Sequence, residues 1–291
     1  MTKVLTLISD PENPTLNNDI KNQYSEFLNA SKSRWLNENV ALDIFFDGDI
    51  GVEVIDRLNN ETFDYAIQDI AKRSKNLLLA DMDSTIIQCE CIDELADFLG
   101  IKEKVSHITE AAMRGEIDFK GALRERVALL KGLKVADLGK VFDERVNLTP
   151  GAITLVKTMN ANGAMTVLVS GGFTYFTGRV SEITGFQVNR ANILLHANGE
   201  LTGKVGEPIV DSDTKVNTLR EFQKNLKLEE HEIIAVGDGA NDIPMLVGAG
   251  TGVGYHAFPT AAEAADVKIQ HSDLTALLYI QGYSISDFII E

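Results

Sequence analysis

Cysteine is nearly absent: the 291 residues hold two, Cys89 and Cys91, one residue apart. That spacing is poor geometry for a disulfide and supplies only half of a zinc site, so both read as buried or partly buried thiols with no chemical role. The five histidines, at 107, 196, 231, 256 and 271, never fall three or four apart, which removes the usual sequence sign of a zinc centre. Long apolar runs are missing too, since none approaches the roughly 18 residues a membrane helix needs. The opening stretch from Met1 to Pro11 is too short in its apolar part for a signal peptide and runs into Asp10 and Glu12, so a cytoplasmic protein is expected. Positive charge is scarce. With 27 Lys and Arg against 43 Asp and Glu, the net charge of −16 repels polyanions. Nucleic acid and anionic membrane are therefore not expected as partners, and a phosphate-binding site would need its own local cation.

What is present suits a globular protein. A hydrophobic share of 44% and a charged share of 24% allow a sizeable core, in one large domain or two smaller ones. Residues 1 to 75 read as a small α+β domain, with strands over 2–9 and 41–46 and helical patterns over 15–30 and 62–73. Lys72-Arg73-Ser74-Lys75 looks like the join to the next unit, and a solvated helix end accounts for it as well as any function does. From Asn76 onward, short apolar runs alternate with helices, which predicts a Rossmann-like parallel α/β sheet over 76–291. The runs are 76–80, 165–169, 233–236, 252–255 and 267–270. Between the first two, residues 90–150 have helical periodicity with Gly100, Gly115 and Gly132 as stops, so a helical bundle is expected over the strand ends. Asn198-Gly199 within 193–205 suggests a tight hairpin.

The endings of three runs carry the chemistry. The first ends in Asp81-Met82-Asp83-Ser84-Thr85, the second in Ser170-Gly171-Gly172, and the third in Gly237-Asp238-Gly239-Ala240-Asn241-Asp242. Ligands of open parallel sheets bind beyond the carboxyl ends of the strands, so these segments should converge. Two carboxylates one residue apart repel unless a cation or a shared proton offsets them. Asp81 is a candidate nucleophile, Asp83 a candidate proton carrier, and Asp238 a further oxygen ligand suited to Mg²⁺. Asp242 could join the metal's shell or orient a ligand water. Ser170 with the N–H groups of Gly171 and Gly172 could cradle phosphate where a helix opens, and Lys215 could add the local positive charge.

In order, Asp81-x-Asp83-x-Thr85, Ser170-Gly171-Gly172, Lys215 and the segment from Gly237 to Asp242 resemble the four motifs of the haloacid dehalogenase superfamily of phosphatases. The likeness spans about 76–270 and is closest to the branch acting on phosphoserine, through "DMDSTIIQCECIDELA" and "AAMRGEIDFKGALRERVALL". The resemblance implies Asp81 as nucleophile, Asp83 as general acid and base, and Mg²⁺ held by Asp81, the Asp83 carbonyl and Asp238. It implies phosphate contacts from Ser170, Gly171 and Lys215. It also places the substrate's serine moiety between Glu90 and Arg126, with Met113 and Phe119 closing over it and Asn241 nearby. A carboxylate can hold the substrate's ammonium and a guanidinium its carboxylate. Residues 1 to 75 match no regulatory motif, and pairing of two copies is left open.

Other readings are weaker. In Gly248-Ala249-Gly250-Thr251-Gly252-Val253-Gly254, Val253 takes the third glycine position of a dinucleotide loop. Leu168 stands where a nucleophile elbow at Ser170 needs glycine. A phosphotransferase would carry nearly the same motifs, with another hydroxyl in place of water. A phospho-accepting signalling module would also use clustered aspartates, Mg²⁺ and a lysine, but Asp83 and the helical insertion argue against it.

Overall fold

The first strand shows how the chain is layered. In β1 (Thr2–Ile8) every residue from Val4 to Ile8 is buried, which requires cover on both faces. Leu5 and Leu7 pack with Leu16, Tyr24, Leu42, Ile44 and Leu58, while Ile8 on the other side joins the core of the rest of the protein. The computed structural model describes residues 2–113 and 117–290, with the backbone alone at 110, 112 and 113.

The N-terminal unit continues with α1 (Asn18–Phe27), β2 (Lys32–Asn37), β3 (Ala41–Asp47), α2 (Val52–Leu58) and β4 (Asp64–Asp69). Its four strands lie in the order β2-β3-β1-β4, and β1 runs antiparallel to both neighbours. Asn17 caps α1 by accepting from the N–H groups of Asp19 and Ile20. Two sequence expectations change here. Residues 62–73 are not a helix: β4 pairs with β1 and a single 3-10 turn follows over Ile70–Lys72. Nor is the join at residues 72–75 a solvated end, because Arg73 and Lys75 are buried.

The second unit is a mixed α/β fold around a six-stranded parallel sheet in the order β12 (Val267–Ile269), β11 (Thr251–Tyr255), β10 (Ile233–Gly237), β5 (Leu77–Ala80), β6 (Met165–Phe173) and β7 (Val188–Asn192). β5 is one of the two middle strands, and the helical insertion follows it with α3 (Cys91–Phe98), α4 (Lys102–Met113), α5 (Phe119–Leu129) and α6 (Val135–Arg145). Gly100 and Gly132 have φ of 68° and 85°, the left-handed backbone of a helix stop. Gly115 lies outside the described residues. After α7 (Ala152–Ala161) come β6 (Met165–Phe173), α8 (Thr174–Thr184) and β7 (Val188–Asn192), an edge strand the apolar pattern does not reveal. The hairpin of β8 (Leu194–Ala197) and β9 (Glu200–Val205) turns at Asn198 and Gly199, both with positive φ, and its Gly203 lies against Ala128 and Lys131 of the helical insertion.

The chain then forms α9 (Ser212–Leu226), β10 (Ile233–Gly237), α10 (Ile243–Gly248), β11 (Thr251–Tyr255), α11 (Pro259–Ala264), β12 (Val267–Ile269) and α12 (Ala276–Gln281). A Cβ on Gly250 would stand 2.1 Å from the Glu230 carbonyl oxygen and one on Gly252 2.4 Å from that of Leu246, so these glycines serve close packing. Among the described residues no helix is long and apolar enough to cross a membrane.

Candidate active site

Three neighbouring strands deliver the site. Ala80 at the end of β5 lies beside Val236 of β10 and Leu168 of β6, so Asp81, Asp238 and Ser170 emerge together at the carboxyl edge of the sheet. The N–H of Asp81 still donates to the Val236 carbonyl at 3.0 Å, which fixes where the carboxylate begins. Beyond it the backbone turns sharply, with Ser84 at a left-handed φ of 54°. A non-glycine residue there is strained and persists only where its surroundings hold it.

Asp81, Asp238 and Asp242 are buried and offer carboxylate oxygens within 4.8 Å of one another. One ammonium sits among them. Lys215, from α9 and 0% exposed, lies 2.7 Å from Asp81 Oδ2 and 2.7 Å from Asp242 Oδ1. The other Asp81 oxygen accepts the Met82 N–H at 2.7 Å, and Thr85 donates to Asp238 at 3.2 Å. Asp242 is committed on both sides, since its Oδ2 accepts the N–H groups of Asp238 and Gly239 at 3.2 and 3.1 Å. It therefore holds Lys215 and the end of β10 in place.

Electrostatics follow from this crowding. Burial, and next the charge of Asp242, raise the pKa of Asp81 well above the usual carboxylate range, with Lys215 opposing. The same two causes bring Asp238 to about 6. Burial alone would lower Lys215, but Asp242 and Asp81 outweigh it and the ammonium is held charged. Three carboxylates and one ammonium sum to −3 + 1 = −2 when all are ionised. Hard oxygen donors with this residual charge fit a divalent cation such as Mg²⁺.

Asp83 faces a different group. Its Oδ2 accepts from Ser170 Oγ at 3.1 Å, its Oδ1 accepts the Cys91 N–H at 2.9 Å, and burial raises its pKa. Ser170 Oγ in turn accepts the Gly172 N–H at 2.8 Å. A Cβ on Gly172 would stand 2.6 Å from Asp83 Oδ2, which could not stay where it is, and one on Gly171 would press on the Phe119 ring at 3.1 Å. Ser170-Gly171-Gly172 does not open a helix as expected: β6 runs on to Phe173 and α8 begins at Thr174. The pairing with β7 is irregular here, with a register shift between Val169 and Phe173.

The insertion brings the remaining residues over this edge. Glu90 stands before α3, open to water, and accepts from Ser84 Oγ at 2.7 Å, while the packed protein and the charge of Asp83 push its carboxyl upward. Arg126 on α5 is half-buried, donates to the Ala122 carbonyl at 3.3 Å and to Thr109 Oγ1 at 3.4 Å, and feels Asp93, Glu90 and Asp83. Asn241 lies half-buried in the turn before α10, near Gly239. The Met113 side chain is outside the described residues. Ser84, Cys91, Asp93 and Thr109 were missed in the sequence. The available signal for Ser84 and Cys91 was their position flanking Asp83 and Glu90. Beside Asp238, a cavity of about 340 Å³ opens between Ser84, Gln88, Thr149, His256 and Phe258.

The whole arrangement is that of a hydrolase of known family. Residues 78–247 match the haloacid dehalogenase-like hydrolases, and the chain belongs to that family as an enzyme of the phosphatase class. It is 46% identical over 218 residues to the phosphoserine phosphatase of Polaromonas sp., covering 73% of this chain and 92% of the relative. It also resembles the unliganded probable phosphoserine phosphatase of Vibrio cholerae, with a TM-score of 0.79 and 32% identity over 98% of this chain and 88% of the other. A haloacid dehalogenase family hydrolase of Salmonella enterica serovar Typhi matches with a TM-score of 0.86 and 30% identity, covering 96% and 98%.

Proposed function

We propose that the enzyme hydrolyses O-phospho-L-serine to L-serine and inorganic phosphate through an aspartyl-phosphate on Asp81. The observation that carries this reading is the pairing of two unlike carboxyls at one strand end. Asp81 lies against the ammonium of Lys215, and Asp83 lies against Ser170 beneath the helical insertion. In the first step an Asp81 oxygen attacks phosphorus while the bond to the seryl oxygen breaks and Asp83 gives that oxygen its proton. In the second step Asp83, now ionised, takes a proton from the water that attacks phosphorus, and Asp81 is released.

Ser170, the Gly171 N–H and Lys215 hold the phosphoryl oxygens in this scheme. Glu90 receives the substrate ammonium and Arg126 its carboxylate, with Phe119, Met113 and Asn241 around them. Mg²⁺ would be held by Asp81, the Asp83 carbonyl and Asp238, where it would neutralise charge on the phosphoryl group. Asp242 supports this shell by fixing Lys215. On this reading the chain divides near residue 75, residues 90–150 form a cap, and the enzyme is cytoplasmic and completes serine biosynthesis, as a monomer or a homodimer.

A phosphate-release screen over phosphomonoesters, with Mg²⁺ or with EDTA, tests this. Phosphoserine should exceed phosphoethanolamine, phosphoglycerate and sugar phosphates, with EDTA abolishing release. A preference for another ester, or full activity in EDTA, overturns the substrate or the metal. Phosphoryl transfer to added alcohols, at the expense of free phosphate, would favour the phosphotransferase reading.

A further inference from the structure

We propose that Asn192 is a positioning residue for the phosphoryl group, its side-chain amide locking the Ser170-Gly171-Gly172 turn to the foot of α9; this rests on the phosphate contacts given to Ser170, Gly171 and Lys215 above. Asn192 ends β7 and is 1% exposed. Its Nδ2 donates to the Gly171 carbonyl at 2.8 Å and to the Val210 carbonyl at 3.3 Å, and its Oδ1 accepts the Val210 N–H at 2.8 Å. A side-chain amide has two N–H donors and one acceptor oxygen, so both ends are satisfied in this orientation and would face like groups if the amide were flipped.

Two phosphate-holding elements meet on this one side chain. On one side is the peptide between Gly171 and Gly172. Asn192 holds its carbonyl while its N–H donates to Ser170 Oγ at 2.8 Å, so the peptide plane is pinned from both edges. A rotation of that plane would bring a carbonyl oxygen toward Ser170 and the anionic group it holds. Ladder pairing with β7 skips from Val169 to Phe173, so a side chain holds this turn where strand pairing does not. On the other side, Val210 leads into Asp211, which caps α9 by accepting the Thr214 N–H at 2.9 Å. Lys215 follows at once, its ammonium 2.7 Å from Asp81. Asn192 therefore sets the separation of cradle and ammonium without touching substrate.

The test uses the full-length enzyme with Mg²⁺. Kinetics are measured on phosphoserine and on β-glycerophosphate, an alkyl phosphate without ammonium or carboxylate, and inorganic phosphate is titrated by calorimetry. Asn192→Ala should lower kcat/KM about 10- to 100-fold, the cost of a misplacement of about 1 Å, by the same factor on both esters. The Kd for phosphate should rise about 3- to 10-fold, the net worth of one hydrogen bond. Asn192→Leu, which keeps the size of the side chain without its hydrogen bonds, should be impaired alike. In the Ser170→Ala background, Asn192→Ala should cost much less, because both residues act on one peptide. Recovery with Leu, full additivity with Ser170→Ala, or a lowered melting temperature at unchanged kcat/KM and phosphate Kd would make Asn192 a packing group and overturn the proposal. Asn192→Asp keeps the shape and the acceptor for Val210 but loses the donation to Gly171, and it decides the matter if the other variants fail to fold. It should be impaired on both esters, and wild-type kcat/KM would overturn the proposal. Ser170→Ala alone should weaken phosphate binding; if it did not, the reading of the cradle would fall and the proposal with it. Weakening by Ser170→Ala without weakening by Asn192→Ala overturns the proposal alone.

Discussion

Two of the buried charged clusters differ in whether their charge is completed. At the junction of the two units, Arg73 donates to both oxygens of Asp43 at 2.7 Å, to Thr6 Oγ1 at 2.9 Å, and to the Tyr279 and Ile280 carbonyls at 2.7 Å. Asp64 makes a second joint by accepting N–H groups from Gln270, His271 and Ser272. Around Lys215, by contrast, three carboxylates share one ammonium. A buried ion pair whose partners are all supplied has nothing left to offer a ligand and serves as a joint. A cluster with surplus negative charge is costly until something positive arrives, so it marks a site.

The sharpest way to break this contrast is to remove one charged group from each cluster. Asp81→Asn is nearly isosteric but cannot attack phosphorus, so phosphate release should fall below detection while circular dichroism stays that of the native protein. Substantial residual turnover would remove the covalent mechanism.

At the joint the loss should be of stability. Arg73→Met leaves Asp43 buried with the Thr6 hydroxyl and the partly exposed Arg34 beside it, and should cost about 3–5 kcal/mol in denaturant unfolding. Turnover of the folded fraction should be unchanged. Adding Asp43→Leu should recover much of that loss, because the charge left behind, Arg34, is partly exposed to water. If Arg73→Met instead altered kcat/KM at full folding, the junction would be coupled to the site.

The site was far more legible in the sequence than the joint. Asp81, Ser170 and Asp238 each follow an apolar run, and three strand ends in one parallel sheet have one place to meet. The joint depends on residues remote in sequence: Asp43, Arg73 and the carbonyls of α12 carry no spacing that announces their contact. Residues 62–73 misled for a related reason. Phe63, Ala66, Ile67 and Ile70 fall at helical intervals, yet Ala66 packs toward the second unit while Tyr65 and Ile67 face the N-terminal helices. A strand covered on both faces loses the alternation that would reveal it. Ser170-Gly171-Gly172 was placed at the right edge but in the wrong element, because nothing local shows that β6 continues to Phe173.

Selectivity sharpens the contrast within the site. Arg126→Ala should lower kcat/KM for phosphoserine by about 1.5–3 kcal/mol, the value of a hydrogen bond to a charged group, and should hardly affect phosphoethanolamine, which lacks the carboxylate. Glu90→Gln should show the complementary pattern, sparing phosphoglycerate. Equal losses on both substrates with Arg126→Ala would mean that the arginine braces the cap through Thr109 and Asp93.

The smallest expected effect tests the surplus charge itself. Asp238 is raised to about 6 by burial and by Asp242, whereas an unfolded aspartate titrates near its ordinary value of about 4. Between those values the native state binds more protons than the unfolded state, so stability falls as pH rises through the window, and the penalty is complete above the folded pKa. In EDTA at pH 7.5, Asp238→Asn should therefore melt about 2–4 °C higher than the wild type, the shift expected for roughly 1 kcal/mol. The gap should narrow at pH 5 and close near pH 4, where Asp238 is protonated in both states. Adding Mg²⁺ at pH 7.5 should reverse the order, because it stabilises the wild type and finds one ligand fewer in the variant. If Asp238→Asn melted below the wild type in EDTA at every pH, the carboxylates around Lys215 would not be a repelling cluster, and the contrast with Arg73 and Asp43 would lose its basis.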